Sequence, residues 1–244
     1  MKLQQLKNGL PLTAAALTVG LMLSACSDND HDTNMPEPPA PPVERSFTLT
    51  VTNLTANQPM SPLALLATSN GYHAWNNGEP ASLALEQLAE GGDQSGYSAE
   101  MDGINMVVSG AGILPPGASE SLTLTLTQTE AATASLSLLT MLVNTNDAFS
   151  GLDAIDVSQM AMDETQSFYT PAYDAGTEAN SELKGSIPGP ADGGEGFNAA
   201  RDDVDRVHLH PGVISQDDGL SDSVLKASHR FDNPVLKVTI QRTR

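Results

Sequence analysis

The sequence predicts an all-β protein: one antiparallel β-sandwich with long loops and one or two short helices, spanning residues 46–244. Three observations carry this. Short runs alternate apolar residues with threonines, one run has the spacing of an amphipathic helix, and stretches rich in Gly, Pro and Asp separate them. Alternation with one wet face points to antiparallel pairing, because parallel strands are usually buried on both sides.

What precedes the sandwich reads as a leader and a tether. Residues 1–25 contain no acid, and Lys2 and Lys7 stand before an apolar run that ends in small residues, the layout of a secretory signal peptide. The run is too short and too rich in Ala and Thr for a comfortable membrane span. Leu23-Ser24-Ala25-Cys26 closes it and resembles the lipobox of bacterial lipoproteins. The resemblance implies cleavage before Cys26 and acylation of its thiol and new amino group. Ser27, rather than Asp, follows the cysteine, which by the same resemblance directs the protein to the outer membrane. Cys26 is the only cysteine, so no disulfide forms within the chain and a thiol here fits lipidation. Several acyl chains on one residue exceed what stable anchoring needs. An ordinary signal peptide with an incidental cysteine is the alternative. Residues 26–45 follow as a disordered Pro- and Asp-rich tether. Asp28, Asp30 and Asp32 alternate there, but Thr33 stands where an EF-hand needs Gly and Pro39 where it needs Glu.

In the sandwich, FTLTVTNL sets Phe47, Leu49 and Val51 against threonines. SLTLTLTQT does the same with Leu122, Leu124 and Leu126, and VLKVTIQR with Leu236, Val238 and Ile240. Each reads as a half-buried strand. INMVVSG and ASLSLLTMLVN are more continuously apolar and are expected deeper. SLALEQLAEGG reads as a helix: Ser82 caps it, Leu85, Leu88 and Ala89 form its stripe, and Gly91 ends it. GLDAIDVS suggests a second short helical turn. From about Tyr169 to Arg206 no strand period is visible. PAYDAGTEANSE, within it, has no aliphatic anchor and is expected outside the core.

The formal charge of −19, without a basic patch, disfavours nucleic acid and anionic lipid headgroups and suits cations or basic partners. No nucleophile elbow, HExxH, P-loop or dinucleotide fingerprint is present. His208 and His210 share a strand face, but two ligands do not make a zinc site and no third is identifiable. The single tryptophan, Trp75, is a thin provision for a polysaccharide-cleaving cleft. Carboxylates remain numerous, so an envelope polysaccharide or ester hydrolase using loop acids such as Asp174 is the alternative to a binding module. Two loops concentrate hard oxygen donors, NTNDAF and YDAGTEANSE. Calcium takes six to eight such oxygens from flexible loops; plain solvation is the competing reading.

The run FTLTVTNLTANQPMSPLALLATSNGYHAWNNGEPASLALEQLAEGGD resembles the start of the spondin N-terminal domain. Asn53 to Pro62, Gly78 to Ser82 and the LAEGGD helix end are its landmarks. LLTMLVNTNDAFSGLD, YDAGTEANSE and DNPVLKVTIQR follow in order. The resemblance implies an antiparallel β-sandwich of the calcium-dependent lipid-binding topology with calcium held between loops at one end. It places metal-binding acids at Asp147 and Asp174, with Glu178 where animal members have Asp. Asn144 and Asn146 stand beside them as amide or carbonyl donors. The expected role is a non-catalytic adhesion or ligand-binding module of the bacterial cell envelope. It would be held to the membrane by lipid on Cys26 and would meet a protein or glycan ligand. The cysteines of animal members and their thrombospondin repeats are absent, so integrin recognition is not implied.

Overall fold

A computed structural model of the chain describes residues 43–69, 71–99 and 101–244. The signal peptide, Cys26 and nearly all of the tether lie outside the described residues. Two antiparallel sheets form a sandwich, as the alternation predicts.

The first sheet has the order β4-β1-β10-β7. It is built from β1 (Glu44–Asn53), β4 (Ser119–Thr127), β7 (Thr165–Thr170) and β10 (Leu236–Arg242). β1 begins two residues ahead of Ser46. The three alternating runs are neighbours in register: Leu49 faces Leu122 on one side and Ile240 on the other. One sheet face therefore collects the apolar residues while the other carries hydroxyl pairs such as Thr48–Thr123 and Thr50–Ser121.

The second sheet has the order β3-β2-β5-β6-β8-β9. Its strands are β2 (Ala64–Ser69), β3 (Ile104–Ser109), β5 (Ala134–Met141), β6 (Ala148–Asp156), β8 (Ala172–Asp174) and β9 (His208–Leu209). One face packs on the first sheet through Leu63, Leu65, Leu136 and Leu138, against Phe47, Leu124 and Val238. The other face is covered by helix α1 (Leu83–Gly91), whose Leu85, Leu88 and Ala89 meet Leu66, Leu139 and Phe149. That double cover explains why every residue of β5 is buried.

The helix stands where the stripe placed it. Ser82 Oγ accepts the Leu85 N–H at 3.2 Å, and the chain leaves α1 through Gly92 at φ +67°, one residue beyond the expected stop. Gly92 can adopt this left-handed turn without the Cβ penalty other residues carry. A second helix, α2 (Gln128–Ala131), is one turn closed by a capping box between Thr127 and Glu130.

Three expectations are corrected. GLDAIDVS is not helical: most of it continues β6, whose Ser150, Gly151 and Leu152 pair with Thr140, Leu139 and Leu138. INMVVSG forms β3, but as a sheet edge with Asn105 and Ser109 exposed, because nothing pairs beyond it. The region after Tyr169 contains β8 and β9, strands too short to show a period.

Candidate functional site

Strand pairing alone brings the two predicted acids together. Asp147 immediately precedes β6 and Asp174 ends β8, and the antiparallel register sets Ala148 opposite Asp174. The Ala175 N–H donates to the Asp147 carbonyl at 3.2 Å and locks the two loops at this point. Both carboxylates are fully buried. PAYDAGTEANSE is thus not surface: Ala172 and Asp174 to Thr177 are all buried. Its polar atoms are admitted because most find hydrogen bonds, the condition for burying them cheaply.

The bonds are local and specific. Asp147 Oδ2 accepts the Thr177 N–H at 2.8 Å, the Glu178 N–H at 3.1 Å and the Thr177 hydroxyl at 3.3 Å. Gly176, at φ +71°, makes the turn that aims those amides at Asp147, and a Cβ there would run into the Arg206 backbone. Asp174 Oδ1 accepts the Gly176 N–H at 2.8 Å, and Oδ2 accepts from Asn180 Nδ2 at 2.6 Å. Asp147 Oδ1 has no partner at all. Burial, and next the charge of Asp174, push the Asp147 carboxyl up to about 8, against the pull of the Thr177 and Glu178 amides. A buried acceptor without a donor, beside a second carboxylate, is a strained arrangement for protein alone. A hard cation at Asp147 Oδ1 would relieve both defects.

The remaining predicted donors are placed less directly. Asn146 Nδ2 donates to Glu178 Oε1 at 3.0 Å and to Ser186, while its Oδ1 takes the Glu182 N–H at 3.4 Å. Asn144 Oδ1 accepts the Ala191 N–H, and its Nδ2 donates to the Asn57 carbonyl. Both amides are engaged in holding loops. Glu178 contributes its N–H to Asp147, but its carboxylate is turned to Asn146. Partial burial chiefly, with the nearby Glu90, Asp202 and Glu195 charges, raises it to about 7 despite that bond. Among the described residues, no group of three or more His, Cys, Asp or Glu side chains is gathered as a metal cluster. A cation here would draw on mixed carboxylate and neutral oxygens, as calcium does.

Sequence reasoning missed Glu90, near the end of α1. It is fully buried, its Oε2 accepts the Asn198 N–H at 2.8 Å, and its Oε1 is unpartnered. Burial raises its carboxyl. Thr177, whose hydroxyl donates to Asp147, is also close enough to hold the Glu90 carboxyl down against the pull of burial. The legible signal was the pair Glu86 and Glu90: like charges four apart on a helix are unfavourable unless something answers them. Arg201 answers Glu86 at 2.6 Å.

The histidines approach Asp174 without forming a metal site. His208 Nδ1 is 3.8 Å from Asp174 Oδ1, and His210 Nε2 is 3.9 Å from Oδ2. His210 has both nitrogens occupied, Nδ1 by the Gly212 N–H at 2.9 Å and Nε2 by Asn180 Oδ1 at 3.1 Å. Burial lowers it to about 4, so it stays neutral and braces Asn180 against Asp174.

The family model Spondin_N matches residues 55–185, more than half of the chain and a span that includes Glu90, Asp147 and Asp174. No curated protein matches the chain. With the sandwich and the paired acids in place, the chain belongs to the spondin N-terminal domain family.

Proposed function

We propose that this chain is a non-catalytic binding module of the bacterial envelope, anchored by lipid on Cys26, whose acid-bearing loops are ordered by calcium. The observation that supports it best is Asp147 Oδ1, buried and unpartnered beside Asp174. In the cation's absence the two carboxylates repel. With it, the loops after β5 and β8 are drawn to a common centre, and the neighbouring surface gains a fixed shape for a protein or glycan ligand. The non-catalytic reading is favoured because Asp147 and Asp174 are closed off from solvent, where no substrate bond reaches them. The leader sequence ending in Leu23-Ser24-Ala25-Cys26 supports placement at the outer membrane.

The test is a thermal melt of the full chain in chelator, calcium or magnesium, beside isothermal titration with calcium. Ligand in hundredfold excess over its dissociation constant stabilises by about 2.7 kcal/mol. Calcium should raise the melting temperature, and magnesium should substitute poorly because it holds a tight octahedral shell and keeps its water. Equal melting in calcium and chelator, with no heat of binding, refutes the reading. Turnover of polysaccharide or ester substrates would favour the hydrolase instead.

A further inference from the structure

An open cleft of about 370 Å³ lies where the chain crosses from the first sheet to the second, between β7 and β8. Its walls are the Trp75–Asn77 loop, the middle of β6, the end of β7 and Tyr173. The crossing is rigid: Ser150 Oγ bonds both the Thr170 hydroxyl and the Pro171 carbonyl at 2.8 Å.

The chain is poor in aromatic residues, yet its single tryptophan and two of its four tyrosines line this one cleft. Trp75 packs edge-on against buried Phe149 at 5.2 Å and beside Tyr173 at 5.4 Å, while Phe149 and Tyr173 stack. Both rings are therefore held from behind by Phe149 while remaining only partly buried. Tyr169 stands 62% exposed on an edge strand whose other outward residues are small and polar. Among these rings sit the exposed amides of Asn76 and Asn77. Asp153 also lines the cleft, its carboxylate fixed by His73 at 2.6 Å and the Ala74 N–H at 2.7 Å.

Pre-set aromatic faces interleaved with amide and carboxylate groups match one chemistry, a pyranose ring. Its C–H face carries weak positive charge and settles on the negative face of an aromatic ring. Its hydroxyls need both donors and acceptors, which Asn side chains supply together. The protein's charge of −19 disfavours sulfated or uronic chains. We infer that this cleft binds a neutral saccharide, stacked on Trp75, Tyr169 and Tyr173 and hydrogen-bonded by Asn76 and Asn77. The inference deepens the binding-module reading by naming its ligand class. The site is separate from the acid pair, since Tyr173 and Asp174 point to opposite faces of β8.

The single tryptophan makes the test direct, because all indole fluorescence of the chain comes from Trp75. Purified full chain is titrated with cellohexaose, mannohexaose, laminarihexaose and chitohexaose, with a heparin hexasaccharide and a proline-rich decapeptide as comparisons. Each titration is run in calcium and in chelator. At least one neutral oligosaccharide should shift Trp75 emission saturably. Tyr169→Ala should weaken that binding about tenfold with an unchanged melting temperature, and Asn76→Ala should weaken it too. Heparin should leave emission unchanged. No response to any neutral sugar, binding indifferent to Tyr169→Ala, or binding of the peptide alone overturns the inference. Calcium-raised melting without sugar binding defeats only the saccharide. Sugar binding without any calcium effect defeats the calcium reading and leaves the saccharide standing.

Discussion

Replacing Asp147 by Asn should reverse the sign of its effect according to whether calcium is present. Asn keeps an oxygen for the Thr177 and Glu178 amides and puts an amide group where the unpartnered Oδ1 stood, next to Asp174. Without metal it removes a carboxyl that the fold pushes from 3.8 up to about 8. At 1.36 kcal/mol per pKa unit, the cost this group imposes at pH 7 is at most about 4 kcal/mol. The amide's own desolvation and its weaker acceptor offset part of that, leaving a gain of about 2 kcal/mol. For a domain of this size 1 kcal/mol is worth about 2–4 °C, so the variant in chelator should melt about 4–8 °C above the native protein. In saturating calcium the order should invert, because the variant forfeits most of the roughly 2.7 kcal/mol that the cation supplies. Differential scanning calorimetry of both proteins in chelator and in calcium reads all four values. A variant that melts lower in chelator refutes the strain assigned to Asp147. One that gains as much from calcium as the native protein refutes its role as a ligand.

Native protein in chelator should lose stability as pH rises from 6.5 toward 8. A group whose folded pKa is raised stabilises fully below its unfolded value and loses that contribution as pH climbs through the folded one. His210, lowered from 6.5 to about 4, acts in the opposite sense only below this window, and Glu178, raised to about 7, adds to the loss in its lower half, so Asp147 governs the upper half; calcium should flatten the slope in pH-jump melts. Leu88→Ala should cost about 2–5 kcal/mol in urea denaturation, since the side chain is fully buried between α1 and the second sheet; a loss under about 0.5 kcal/mol would make the helix surface decoration. Cys26→Ser should release the protein from membranes or leave it as precursor, and mass spectrometry showing mature protein with an unmodified Cys26 would refute lipidation.

Local pattern was enough for the elements whose residues repeat. Phe47, Leu49 and Val51, and their counterparts in β4 and β10, announce a half-buried sheet because side chains alternate between its faces. Leu85, Leu88 and Ala89 between Ser82 and the paired glycines announce α1 for the same kind of reason. Pattern failed where length or context overrode it. β8 and β9 have three residues and two, too few for any period to appear. The β6 segment at GLDAIDVS reads equally as a turn until β5 is there to pair with it. β3 is apolar enough for the interior, yet its place at a sheet edge leaves it half-wet.

The acid pair divides in the same way. Composition alone marked Asp147 and Asp174 as members of two oxygen-rich loops, because Asn, Asp, Thr and Gly concentrate where chains turn. Their adjacency across 27 positions of sequence, their complete burial and the unpartnered Oδ1 came only from the β6–β8 register and the turn at Gly176. Glu90 was still less accessible, since a helix acid reads as solvated until the fold covers it. The aromatic cleft follows the same rule: Trp75, Tyr169 and Tyr173 are scattered single residues until the crossing from β7 to β8 gathers them. Periodicity is a local property of the chain and can be read from it. A site depends on which distant segments share a boundary, and the long-range packing of two sheets decides that.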